Sequence, residues 1–157
     1  MQSLSVDWID EQIDKMDSLI KEMPELRREA HERIAQRLEA EIRSEIARSA
    51  GTSTGKMAEW QEGVVGTEGG YAAVRAKSKT YEETKKGKKY AVGYITNAYT
   101  SGHAIRRPQG GKHYRPEIKK RYVLGSNVYQ KVRPKADRIA LEELNNFADE
   151  VEKRLKK

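Results

Sequence analysis

The chain has no cysteine, a single phenylalanine and only three histidines. The missing thiols exclude disulfides, thiolate nucleophiles, Cys-ligated zinc and iron–sulfur clusters. A metal site would then need two histidines plus carboxylates. His31 falls in a charged helical stretch, and His103 and His113 flank a basic segment whose nearby carboxylate is Glu117, an environment that repels a cation. No metal or cofactor is expected. Apolar residues are also scarce, at 36% of 157 against 35% charged, so the core must be economical and the surface heavily solvated. One domain, 1–157, fits this length. Long hydrophobic runs are missing too. Met1 to Met23 mixes Asp7, Asp10, Glu11, Asp14 and Asp17 among its apolar residues, which reads as neither a secretory signal nor a membrane span and implies a cytosolic start.

Charge is present in excess and unevenly placed. Residues 1–48 hold 8 Lys/Arg against 12 Asp/Glu, a net −4; residues 49–125 hold 15 against 6, a net +9; residues 126–157 hold 8 against 6, a net +2. The positive field belongs to the middle, where it attracts phosphate or an acidic protein surface by Coulomb steering.

Apolar spacing divides the chain further. Leu4, Trp8, Ile13, Met16, Ile20 and Met23 recur at three to five residues and predict a helical extension over 1–24, which Pro24 should interrupt. Leu26, Ala30, Ile34, Leu38, Ile42 and Ile46 then step in fours, with Ala35, Ala40 and Ala47 widening the stripe, and predict a long helix over 25–50. Ser49 to Gly55 is a polar, glycine-containing loop. Over 56–125 the composition turns to strands, with all eight tyrosines between Tyr71 and Tyr129. Strands are expected near 58–65, 71–76, 90–94 or somewhat beyond, and 121–124, with Gly69 and Gly70 turning the first hairpin. The Lys-rich 77–89 and the Gly/Pro/Arg-rich 102–120 are expected to be long solvated loops. Ala136, Ala140, Leu144, Phe147, Ala148, Val151 and Leu155 predict a final helix within 126–157, starting at Ser126 or Asn127, or near Lys135 beyond Pro134. The fold class is α+β: a long N-terminal helix and a C-terminal helix packed on a small, mainly antiparallel β-sheet with long basic loops.

Catalytic signatures fail on inspection. Gly51 to Gly55 followed by Lys56 and Met57 invites comparison with a phosphate-binding loop, but only three residues separate the glycines, Met57 stands where Ser or Thr binds magnesium, and the order is helix to strand. Carboxylates such as Glu59 and Glu62 fit the solvent face of an edge strand as well as an acid–base pair. No catalytic residue and no enzymatic activity are expected. The basic middle offers more. Lys79, Tyr81, Lys85, Lys86, Lys88, Lys89 and Tyr90 interleave cations with aromatic rings, as do His103, Arg106, Arg107, Lys112, Arg115, Lys119, Lys120 and Arg121 with Tyr114 and Tyr122. These residues are candidates for contact with a partner. A basic, Tyr-rich nucleic-acid-binding module is one reading, with tyrosines stacked on bases and lysines on phosphates; strand-forming tyrosines and edge-protecting lysines are the plain one.

From about Leu26 onward the order of features resembles a family, the tail completion (head–tail joining, neck) proteins of long-tailed bacteriophages. The likeness rests on the long amphipathic helix ending at Thr54-Gly55-Lys56-Met57, the Gly-punctuated hairpin, and Tyr94-Ile95-Thr96-Asn97 leading into Ser101-Gly102-His103. A basic insertion, Val123-Leu124-Gly125 before Tyr129, and a C-terminal amphipathic helix complete the order. The residues before Pro24 and the insertion Lys77 to Lys89 stand outside it. The resemblance implies a helix-on-sheet body assembled as a homo-oligomeric ring, sixfold in this family, between the phage connector and the tail tube, without catalysis or cofactor. It places the protein in the host cytoplasm during assembly and then in the virion, with basic loops meeting acidic partner faces or, transiently, DNA.

Overall fold

In the computed structural model the described residues are 7–50, 55–105 and 121–156. The elements run α1 (Asp7–Ala50), α2 (Gly55–Glu59), β1 (Gln61–Val65), a 3-10 turn at Thr67–Gly69, β2 (Ala72–Ala76), β3 (Tyr81–Glu83), β4 (Lys89–Ala91), α3 (Val92–Ser101), β5 (Gly102–Ala104), β6 (Tyr122–Leu124) and α4 (Val128–Leu155). The class is α+β, with long helices at both ends and small antiparallel strand pairs between. The single small sheet of the sequence reading is three separate two-stranded ribbons, β1–β2, β3–β4 and β5–β6.

Several expectations need correction. Pro24 does not break the first helix: α1 runs through it for 44 residues, about 66 Å at 1.5 Å per residue. A proline's φ is already helical; it forfeits one hydrogen bond and crowds the carbonyl four residues back, and the Glu22–Arg154 pair before it and the buried Leu26 and Ala30 after it help to hold the helix through that cost. Pro134 lies inside α4 in the same way, and the helix starts at Val128. The strand expected from Tyr90 ends at Ala91, where α3 begins. Its β-branched residues suggested a strand, but Val92, Thr96 and Thr100, the buried ones, recur every four residues, a helical period. The strand expected from residue 58 begins at Gln61, after the single turn of α2. The loop 77–89 is largely the β3–β4 hairpin, and the loop 102–120 opens with β5.

The chain divides into two compact units: one comprises α1 up to Glu39, Gly63–Val74 and α4 from Pro134, the other Ala40–Glu62 and Arg75–Arg133. In the first, α1 and α4 run antiparallel, since Glu22 pairs with Arg154 while Arg37 pairs with Glu142. Leu26, Ala30, Ala35 and Ile139 form its buried apolar part. Glu143 is buried with them, on the same face of α4 as Ile139, four residues on. Gly63 passes close to α1: its N–H donates to Glu39 Oε2 at 2.6 Å, and a Cβ here would lie 2.8 Å from the Ala35 carbonyl oxygen.

In the second unit Ile42 and Ile46 of α1 meet Met57, Val92, Val128 and Val132 in the core. Gln61, with no exposed surface, ties its elements together. Its side-chain amide donates to the Met57 carbonyl at 3.1 Å and the Thr96 hydroxyl at 3.4 Å, and its Oε1 accepts from the Tyr129 hydroxyl at 2.8 Å. Its backbone carbonyl accepts from Arg43 at 2.9 Å. A buried amide satisfied on every side is inexpensive and fixes register, whereas one left unpaired costs about 1–3 kcal/mol.

Candidate interaction surfaces

The β3–β4 hairpin carries the first basic cluster. Its tip is tight because the Gly87 N–H donates to the Thr84 carbonyl at 2.8 Å and the Thr84 N–H donates to the Lys88 carbonyl at 2.9 Å, with Gly87 at φ 76°. Lys85 and Lys86 therefore sit at the two outermost positions, exposed, with Lys88 and Lys89 following them down the second strand. Tyr81 lies opposite Ala91 and Glu82 opposite Tyr90. Cross-strand partners share a face and neighbours alternate, so Tyr81 and Tyr90 point to opposite sides of the ribbon. The tyrosine expected to alternate with lysines as a stacking platform thus has no second ring on its face of the hairpin. Glu82 accepts from Lys56 at 2.9 Å, and that bond with its charge raises the Lys56 pKa. Lys56, the lysine of the phosphate-loop comparison, is thereby committed to the hairpin; Gly51 to Thr54 lie outside the described residues.

The β5–β6 ribbon is built differently. Gly102 pairs with Leu124, His103 with Val123 and Ala104 with Tyr122. At its root two backbones touch: a Cβ on Gly125 would lie 2.2 Å from the Thr100 carbonyl oxygen, and one on Gly102 2.4 Å from the Val123 carbonyl oxygen. The N–H groups of Ser126 and Asn127 donate to the carbonyls of Tyr99 and Thr100, both at 2.9 Å, and so satisfy the open C-terminal end of α3. The Tyr122 hydroxyl donates to the Ser101 carbonyl at 2.9 Å. From this fixed root the ribbon presents Tyr122, Val123 and Leu124 to solvent, Leu124 being 86% exposed.

Of the residues singled out in the sequence, Lys79, Tyr81, Lys85, Lys86, Lys88 and Lys89 are brought together on β3–β4 and its flanks, all exposed, Lys79 at φ 54° in the turn before β3. His103 and Arg121 stand at the β5–β6 ribbon, His103 with Nδ1 3.4 Å from the Ala98 carbonyl oxygen. Arg106, Arg107, Lys112, Arg115, Lys119 and Lys120 lie outside the described residues. His31 donates from Nδ1 to the Arg27 carbonyl at 3.0 Å when that nitrogen is protonated, and Glu62 pairs with Arg75 at 3.3 Å. No helix among the described residues is long and apolar enough to cross a membrane.

Two surfaces escaped the sequence reading. Ile13, Met16 and Ile20, the apolar positions of the expected helical extension, are exposed on α1. Of the stripe expected on α4, Ala136, Phe147 and Val151 are half-buried and Ala140, Leu144, Ala148 and Leu155 exposed, while Ile139 and Glu143, outside it, are buried. In both cases apolar spacing located an apolar flank but not which flank is covered. The available signal was the acidic bias of residues 1–48, which marks α1 as a surface that meets cations.

Electrostatics in the first unit centre on Glu143. Burial pushes its pKa up, but hydrogen bonds from Arg37 at 2.8 Å and Arg33 at 3.0 Å, helped by Asn146, outweigh that and hold it below the usual carboxylate value. Arg37 also reaches Glu142 at 2.5 Å and its own pKa is raised by both carboxylates. Towards the other end of the α1–α4 pair a groove lined by Lys15, Ser18, Leu19, Glu22, Glu150, Lys153 and Arg154 sets three cations against two carboxylates and presents no single sign to a ligand. No family model, curated protein or solved structure matches the chain.

Proposed function

We propose that this protein is a structural component of a long-tailed bacteriophage, a neck or tail-end ring subunit joining the connector complex to the tail tube. The observation that carries the reading is the β5–β6 ribbon, closely rooted at Gly102 and Gly125, with Tyr122, Val123 and Leu124 open to solvent. A two-stranded ribbon gains little stability alone and gains much when a neighbour covers it, as in a ring. The order of elements, from the long helix through a hairpin to the final amphipathic helix, is the order on which the resemblance rests. On this reading the protein acts without cofactor or catalysis, first in the host cytoplasm and then in the virion, and its basic residues meet acidic faces of neighbouring proteins close to the path of DNA. Electron microscopy of particles made without the protein tests it: full heads and finished tails should accumulate unjoined, and stably tailed particles overturn the assignment. Nucleic-acid binding, the alternative, has the lysines of the β3–β4 tip in its favour, but the two ribbon tyrosines face apart.

A further inference from the structure

Two exposed apolar surfaces on this molecule carry opposite charge. The first is the limb of α1 before Pro24. Ile13, Met16 and Ile20 follow at intervals of three and four, which aligns them along one flank of the helix, and they are 49%, 55% and 66% exposed. Leu19, Leu26 and Ala30 are better covered and fall on a neighbouring flank, so the stripe is additional to the packed face. Around it residues 11–25 hold five carboxylates against Lys15 and Lys21, and Lys15 is already paired with Glu11 at 2.9 Å. The second is the β5–β6 ribbon, with Leu124 and Tyr122 on one side, Val123 on the other, Ile105 at 36% exposure and Arg121 at its edge. The sequence joining its strands, residues 106–120, which lies outside the described residues, holds six Lys/Arg against Glu117.

We propose that the β5–β6 ribbon of one copy seats on the pre-proline limb of α1 of a second copy. The choice of occupant rests on charge complementarity: an acidic apolar stripe repels another copy of itself and attracts a basic apolar ribbon, with Arg121 placed to meet carboxylates such as Asp14 and Asp17. Because the two surfaces differ, the contact is head-to-tail, and each copy keeps one free donor and one free acceptor surface until a ring closes. The inference rests on the ring-subunit reading above and supplies its subunit contact. It also gives work to the residues before Pro24, which lie outside the family resemblance.

Sedimentation velocity on the full chain tests it with two variants at exposed positions, M16D/I20D on the limb and R121E/L124D on the ribbon. Wild type should associate as concentration rises, and each variant alone should remain monomeric with an unchanged circular dichroism spectrum. Mixed in equal amounts, the variants should form a one-to-one dimer that grows no further, since each supplies the surface the other lacks. Should either aspartate pair unfold the chain, M16S/I20S and L124S carry the same comparison. A mixture that stays monomeric while wild type associates, or a limb variant that associates alone, overturns the contact. Wild type that is monomeric throughout also overturns it, while the particle experiment separately decides the neck assignment.

Discussion

Glu143 is a carboxylate with 6% of its side chain exposed, sitting where a helix of this amphipathic pattern would ordinarily place leucine. It is tolerated because Arg33 and Arg37 reach it from α1, both with a third or more of their side chains in water, so the cations need not be fully desolvated. Neutralising the acid leaves two neighbouring guanidiniums of α1 without their shared counter-charge at a covered position, and Glu143→Gln should cost about 2 kcal/mol at neutral pH. The pH dependence follows from the lowered pKa. A carboxylate held below its ordinary value of 4.5 contributes stability that is fully present above that value and lost as pH falls through the lower, folded value. Urea denaturation at pH 7 and in steps below pH 4.5 should therefore show wild type losing more stability on acidification than Glu143→Gln, and parallel acid limbs would show that Glu143 contributes nothing there. None of this was legible from residue type alone: a glutamate four positions after an isoleucine reads as solvent face until its cationic partners, more than a hundred residues earlier, are known. Gln61 was hidden for the same reason, since its three side-chain partners lie on α2, α3 and α4.

Elements that depend on local pattern were read correctly where one signal dominated. The stripe from Leu26 to Ile46 gave the central part of α1, the valine- and glycine-bounded run gave β2, and Arg121 to Leu124 gave β6 to within a residue. The reading failed where local and tertiary preferences oppose each other. Pro24 and Pro134 are local stop signals overridden by packing along long helices, and α3 is a β-branched segment made helical by burying Val92, Thr96 and Thr100. Thr100 eases that conflict by donating its hydroxyl to the Thr96 carbonyl at 2.9 Å. If Pro24 is a cost carried by α1, Pro24→Ala should restore a helical hydrogen bond and stabilise the first unit by about 2 kcal/mol. Thermal melts read by circular dichroism at 222 nm check this, and a lower melting temperature would mean that the proline shapes the limb in a way the chain needs. The opposite sign is expected at the root of the ribbon. Gly125→Ala forces a methyl group against backbone at Thr100, where no side chain can move aside, and should destabilise by about 3 kcal/mol. Hydrogen exchange of the Ser126 and Asn127 amides should accelerate in that variant; unchanged exchange would show that the two backbones separate without cost.

At the scale of the molecule, a net charge of +7 divides along the sequence into an acidic first third and a basic middle, so the chain is not uniformly basic. Such a molecule will adhere to DNA at low salt whether or not it is built to do so, because neutralising phosphates releases counterions regardless of sequence. What distinguishes adhesion from recognition is the role of the aromatic rings. A stacking platform needs rings on one face, and the register of β3–β4 puts Tyr81 and Tyr90 on opposite faces, at 61% and 41% exposure. Single-stranded DNA binding followed by fluorescence anisotropy should therefore be weak, insensitive to sequence and steeply reduced by salt. Lys85→Glu with Lys86→Glu should weaken it about tenfold by removing two phosphate contacts at the hairpin tip, whereas Tyr81→Ala with Tyr90→Ala should change it less than twofold. Base stacking is worth about 1–3 kcal/mol per ring, so a loss of tenfold or more in the tyrosine variant would move the nucleic-acid reading ahead of the neck reading. Insensitivity to the tyrosines together with dependence on the lysines leaves the hairpin as a charged surface, the property that a subunit beside a DNA path and among acidic neighbours requires.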